Sequence, residues 1–180
     1  MTYGLQPPEK GDSHPATRAG LSPQAALEDA RRRLVRYAVK LVWNRADAEE
    51  IVQDAFKIAA TRGVGLRDEH FEPWMFRTTG QLCLNHRRKR RPESLDTWIE
   101  SSTTRTPLDA AMDVERLESL RAGVERLPDQ QRIALTLRCI EQFDYARVAE
   151  IMAISESAVR AHVHQARRKL ADTLGDPRDS

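Results

Sequence analysis

Apolar positions recur at helical spacing in successive blocks of the chain, separated by short polar breaks. The first block opens with Ser22 as a predicted N-cap and Pro23 at the first helical position. Leu27, Ala30, Leu34, Ala38 and Leu41 form its stripe, and the pattern stops near Trp43 and Asn44. The second block runs from Asp47, a predicted cap with Glu50 in the capping-box position. Ile51, Val52, Ala55, Phe56 and Ala59 face inward, and Gly63 marks the stop. A loop over 63–72 leads to a third predicted helix, from near Pro73 to about Arg91. On it Met75, Phe76, Thr79, Leu82 and Cys83 share one side. Pro92 breaks that helix, and the Ser-, Thr- and Pro-bearing stretch 92–107 reads as a linker.

Helical spacing resumes after Thr106-Pro107, through Leu108, Ala111, Met112, Leu117, Leu120, Val124 and Leu127. It continues over Pro128–Leu174 in three pieces with short breaks. The middle piece, Asp144–Met152, buries Val148, Ala149, Ile151 and Met152. The turn Ala153-Ile154-Ser155 follows, and the Ser155 hydroxyl is placed to cap the last helix. There Val159, Val163, Ala166 and Leu170 make an apolar stripe. The pattern therefore predicts an all-α protein of two small helical domains, 21–91 and 108–175, joined by a flexible linker over 92–107. Residues 1–20, with Pro7, Pro8 and Pro15 and no apolar period, read as a disordered tail, and 176–180 as a second tail.

The polar faces carry the chemistry. Ser157, Arg160, Ala161, His164, Arg167 and Arg168 lie beside the stripe of the last helix. A helix, a tight turn and a second helix with a basic outer face form a helix-turn-helix, whose second helix can enter a major groove. Solvation of a helix face is the bland alternative for these cations. On the third helix Trp74, Arg77, Thr78, Gln81, Asn85 and Arg88 share a second face. Amides and guanidinium groups can read base edges, and an indole can stack on an unpaired base. Trp74 reads equally as a core residue. The run Arg87, Arg88, Lys89, Arg90, Arg91 suits a phosphate backbone, or a solvated helix end. On the second helix Glu50, Gln53, Asp54 and Lys57 face outward. Acidic groups there suit a helix N-terminus on their own, and a docking face for a basic partner is the functional alternative.

Composition adds limits. Hydrophobic residues make up 40% and charged residues 31%, as in a soluble, ordered chain. The net charge of +2 is too small to argue for nucleic acid, so only its placement does. No apolar run can cross a bilayer and no secretory core is present, which predicts a cytoplasmic protein. Cys83 and Cys139 sit in helical apolar patterns and are expected to be reduced, buried thiols. No metal-ligand spacing occurs, and His162 and His164 point in different directions on their helix. Neither a cofactor nor a catalytic carboxylate cluster is expected, so the chain reads as no enzyme.

Three segments, in this order, resemble the extracytoplasmic-function (ECF) sigma factors, bacterial transcription initiation factors of the sigma-70 family. The run DAEEIVQDAFKIA from Asp47 is similar to the polymerase-binding helix of region 2. FEPWMFRTTGQLCLNHRRKRR from Phe71 is similar to the region 2.4 helix. The stretch from Leu127 to Leu170 is similar to region 4. The resemblance implies that Asp47, Glu50, Ile51, Gln53, Asp54 and Lys57 dock on the clamp helices of the largest subunit of core RNA polymerase. It implies that loop 63–72 and the Trp74–Arg88 face recognise the −10 promoter element and hold a flipped base. Arg87, Lys89, Arg90 and Arg91 would bind phosphates, and the Arg160 helix would read the −35 element. The flap of the second-largest subunit and an anti-sigma factor are further implied partners. Gln81 and Asn85 stand where members often carry Asn and Asp, which leaves the preferred −10 bases open. Ala153 stands where Gly is frequent, and Arg160 and His162 where Lys and Arg are. A stand-alone helix-turn-helix repressor or activator is the alternative, and the polar face around Trp74 and the long linker speak against it.

Overall fold

The computed structural model describes residues 22–66, 68–89 and 118–174. The two predicted tails, the predicted linker, Arg90, Arg91 and the predicted helical positions Leu108, Ala111, Met112 and Leu117 lie outside them. All regular structure among the described residues is α-helical. The chain divides into two compact units. One contains α1 (Pro23–Val42), α2 (Arg45–Thr61) and α3 (Phe71–Lys89). The other contains α4 (118–126), α5 (Asp129–Cys139), the first part of α6 (Tyr145–Met152) and α7 (Glu156–Leu174).

In the first unit, the Ser22 hydroxyl accepts from the Ala25 amide at 3.2 Å, and Pro23 lacks an amide hydrogen where the helix needs none. Ala30, Leu34, Tyr37, Ala38 and Leu41 are buried, whereas Leu27, expected to open the stripe, is 40% exposed near the start of α1. The helix ends on Trp43 in the left-handed region, φ 57°. The apolar pattern predicts the α2 cap at Asp47, but the cap is Asn44, whose Oδ1 accepts from the Asp47 amide at 3.0 Å. Asp47 lies a turn inside, where its carboxylate oxygen is 3.3 Å from Nε2 of His86 on α3. Gly63 stops α2 as expected, with φ 68°, and the Val64 amide returns to the Ala59 carbonyl at 3.0 Å.

The third helix begins at Phe71, two residues before the expected Pro73. Proline is tolerated there because first-turn amides have no intrahelical acceptor. α3 packs against α1 and α2 at once. Phe76 meets Tyr37 edge-on with centroids 5.2 Å apart, and Phe71 lies 6.4 Å from Phe56. Glu72 pairs with Arg33 of α1, whose guanidinium also lies over the Phe76 ring. At the other end, Nη1 of Arg87 donates to the Leu41 carbonyl at 2.9 Å, which satisfies an acceptor at the C-terminus of α1.

In the second unit, α5 is buried from Gln131 through Leu137. Arg132, almost fully enclosed, donates to the carbonyls of Val124, Glu125 and Leu127. Gln131 Nε2 donates to Gln165 Oε1 on α7 at 2.8 Å. Gly123 of α4 lies so close to α7 that a Cβ added there would sit 2.9 Å from Cδ2 of Leu170. Asp144 caps α6 through the Arg147 amide at 2.7 Å. Met152, expected to be buried, is only half-buried. Cys83 is buried, and burial pushes its thiol up to about 12, opposed by the nearby Arg87. Cys139 is exposed, against the expectation of two buried thiols, because it falls at the end of α5 beyond the enclosed stretch.

Candidate nucleic-acid interface

The turn between α6 and α7 sets the geometry of the basic face. Ala153 adopts φ 54°, and the Ile154 amide returns to the Ala149 carbonyl at 3.1 Å. The Ser155 hydroxyl then accepts from the Ala158 amide at 3.2 Å, so α7 starts where its sequence says it should. Val159, Val163 and Ala166 are essentially inaccessible, and α7 packs on α5. Leu170, at the end of this stripe, is half-buried.

On the other side of α7, Ser157, Arg160, Ala161, His164, Arg167 and Arg168 are all exposed. Their spacing of three and four residues puts them in one line along the helix. Arg160 Nη2 lies 3.2 Å from Glu156 Oε2, and its guanidinium carbon is 4.2 Å from the Tyr145 ring centroid. Arg138 lies 5.0 Å from the same ring. Arg167 Nη2 is 3.9 Å from the Cys139 sulfur, a weak contact. The Ser157 and Ser155 hydroxyls are 2.9 Å apart. The line therefore offers guanidinium, imidazole and hydroxyl groups at the width of a helix, the donor set that major-groove reading uses. Sequence reading misses Tyr145 and Arg138 as neighbours of Arg160, since nothing in their spacing announces a contact across three helices.

The α3 face is different. Trp74 is 4% exposed and Thr78 is fully enclosed, so neither shares the open surface expected of them. Helical spacing puts them with Arg77, Gln81, Asn85 and Arg88. A helix wedged against two others is buried over a wider arc than a single stripe, and Trp74 and Thr78 fall within it. Trp74 Nε1 and Thr78 Oγ1 have no hydrogen-bond partner among the described residues. Arg77, Asn85, Arg88 and Lys89 are exposed and Gln81 is half-buried, its amide 3.4 Å from Asn85 Oδ1. Arg87 is half-buried and engaged with the Leu41 carbonyl.

Along α2, Glu50, Gln53 and Lys57 are exposed and Asp54 is partly so, paired with Lys57 Nζ at 2.9 Å. Ile51 is in the core, 7% exposed, and Asp47 is tied to His86. Of the docking residues expected on this helix, Ile51 thus contributes to packing. No cluster of three or more His, Cys, Asp or Glu side chains able to hold a metal occurs among the described residues. No helix there is long and apolar enough to cross a membrane.

Residues 27–93 match the family model for sigma-70 region 2, and residues 117–170 match that for sigma-70 region 4. The chain belongs to the sigma-70 family. It is 29% identical over 158 residues to the probable ECF RNA polymerase sigma factor SigI of Mycobacterium tuberculosis, an alignment covering 83% of this chain and 54% of that protein. The chain therefore spans about half the length of SigI. It is 25% identical over 158 residues to the ECF RNA polymerase sigma factor SigW of Bacillus subtilis, covering 80% of this chain and 84% of SigW. Among solved structures, the sigma factor RpoE of Bartonella quintana, in complex with the anti-sigma factor NepR, superposes with a TM-score of 0.64. That match has 20% identity and covers 86% of this chain and 97% of RpoE. CnrH, solved with the cytosolic domain of CnrY, gives a TM-score of 0.60 at 22% identity, covering 88% and 92%. These likenesses show a shared sigma-70 fold.

Proposed function

We propose that this sigma-70 family chain is a promoter-specificity subunit of bacterial RNA polymerase, acting in the cytoplasm and catalysing no reaction itself. The exposed line Ser157, Arg160, Ala161, His164, Arg167, Arg168 on α7 is the observation that carries the reading. In it α7 reads the duplex −35 element. Arg77, Asn85, Arg88 and Lys89 on α3, with Gln81, contact the −10 region. Glu50, Gln53, Asp54 and Lys57 on α2 dock on the clamp helices of the largest polymerase subunit. The second unit meets the flap of the second-largest subunit. The complexes of RpoE with NepR and of CnrH with CnrY support an anti-sigma protein as a further partner of this chain.

Energetics require the larger assembly. Duplex stacking holds about 1.4 kcal/mol per step, so opening roughly ten pairs costs well over ~10 kcal/mol. One stacked base returns about 1–3 kcal/mol and one bidentate base contact about the same in discrimination. The contacts available on α3 and α7 do not offset that cost without polymerase.

Reconstitution with core polymerase tests the reading. The expected result is transcription from a cognate promoter, with no promoter opening by the chain alone. Charge reversal of Glu50 and Asp54 together should weaken core binding while leaving the fold intact. A free dimer that saturates a symmetric duplex site, with no affinity for polymerase, would replace this reading with that of a repressor or activator.

A further inference from the structure

Tyr145 opens α6 and is half-buried at the edge of the exposed line on α7. Two guanidinium groups lie over its ring: Arg160 from α7 at 4.2 Å and Arg138 from α5 at 5.0 Å. Arg138 is itself anchored, since its Nη1 donates to the Phe143 carbonyl at 3.1 Å. Arg160 has a second restraint in Glu156, one turn earlier on the same helix. A cation over an aromatic face is attracted by the ring quadrupole. A long arginine side chain left in solvent must surrender its rotamer freedom when it binds. One already seated on a ring has surrendered part of it.

We propose that Tyr145 is a positioning residue for Arg160. It holds the guanidinium on the outer face of α7 before DNA arrives, and so sets how sharply one base pair of the duplex element is discriminated. The inference rests on the reading of α7 as the duplex reader. The aromatic face does the positioning, so the phenol hydroxyl is dispensable.

The test uses holoenzyme assembled from core polymerase and the full chain. The probe is a pool of promoter duplexes randomised across the upstream element, and bound sequences are read out position by position. With wild-type chain, one position should show a preference that Arg160→Ala removes. Tyr145→Leu should weaken the preference at that same position by roughly two- to fivefold, the range of an exposed cation–π contact, and leave the others unchanged. Tyr145→Phe should preserve it. Combining Tyr145→Leu with Arg160→Ala should lose no more preference than Arg160→Ala alone. An unchanged preference in Tyr145→Leu overturns the inference. So does a loss spread evenly over all positions, which a merely structural role or a phosphate contact would give. If Arg160→Ala alters no position in the first place, the reading of α7 fails, and the positioning role falls with it.

Discussion

The guanidinium of Arg132 reaches back from α5 to the carbonyl of Leu127, 2.7 Å away, and holds the Val124 and Glu125 carbonyls as well. Last-turn carbonyls have no intrahelical donor, and Arg132 supplies one inside the protein. Its Nη1 also lies 3.5 Å from Asp129 at the start of its own helix. Removing it takes this donor from the Glu125 and Leu127 carbonyls, while the Val124 carbonyl keeps the Leu127 amide at 3.2 Å. Arg132→Ala is predicted to destabilise the second unit by about 2–4 kcal/mol, read by chemical denaturation. Arg132→Lys should recover only a fraction, because an ammonium cannot span those carbonyls. An Ala variant within about 0.5 kcal/mol of wild type would mean that water replaces the guanidinium.

Asn44 and Asp47 give a second prediction. Asn44→Ala should cost about 1 kcal/mol through loss of the α2 cap. Asp47→Ala should cost less, since it removes a partly exposed pair with His86 and leaves the cap in place. The opposite order in thermal melts would restore Asp47 as the cap.

That reversal shows what sequence can carry. Asn44 precedes a polar, alanine-containing first turn, and Asp47 precedes the first strongly apolar positions, so the periodic signal points one turn too late. The α7 line is fully legible, because one side of α7 is enclosed and the other open, which is what a single stripe encodes. The α3 faces are only half legible. Two neighbouring helices enclose more of its circumference than polarity reveals, and an indole or a threonine fits either side. Contacts such as Arg132 with Leu127, or Arg160 with Tyr145, depend on how helices are brought together and leave no periodic trace.

The two thiols should separate kinetically. In folded protein near pH 8, an aromatic disulfide reagent is predicted to titrate Cys139 at once and Cys83 only as the first unit opens. The thiolate is the reacting form, and burial disfavours it at Cys83. A pKa raised in the folded state means that the native chain holds its proton more tightly than the unfolded chain. Stability is therefore unaffected by this group below about 9 and falls as pH rises toward about 12. Cys83→Ala should remove that slope. Equal rates for both thiols in native buffer would contradict the enclosed position of Cys83.

Ala153 sits at φ 54°, where a side chain crowds the following carbonyl. Left-handed backbone costs a non-glycine residue about 1–2 kcal/mol, and glycine gives back roughly half of that in unfolded-state entropy. Ala153→Gly is predicted to stabilise the turn between α6 and α7 by about 0.5–1 kcal/mol. Ala153→Val should destabilise it, by more than that gain. A glycine variant that melts below wild type would mean that this turn is not left-handed in solution.

Trp74 decides between two accounts of the same phenotype. On an open α3 face, Trp74→Ala would impair promoter opening by removing a stacking platform while sparing the fold. Within the enclosed arc, at 4% exposure, it removes a large core side chain and should cost about 3–5 kcal/mol. Loss of opening would then follow from loss of the first unit. Trp74→Phe separates the two. It keeps an aromatic ring that could still stack, and it empties only part of the indole volume. It also deletes an indole N–H with no partner among the described residues, so that deletion carries little penalty of its own. The expected pair of results is a strongly lowered melting temperature for Trp74→Ala and modest loss for Trp74→Phe, with opening tracking the folded fraction in both. A Trp74→Ala chain that melts like wild type yet fails to open a promoter would put the indole back on the DNA.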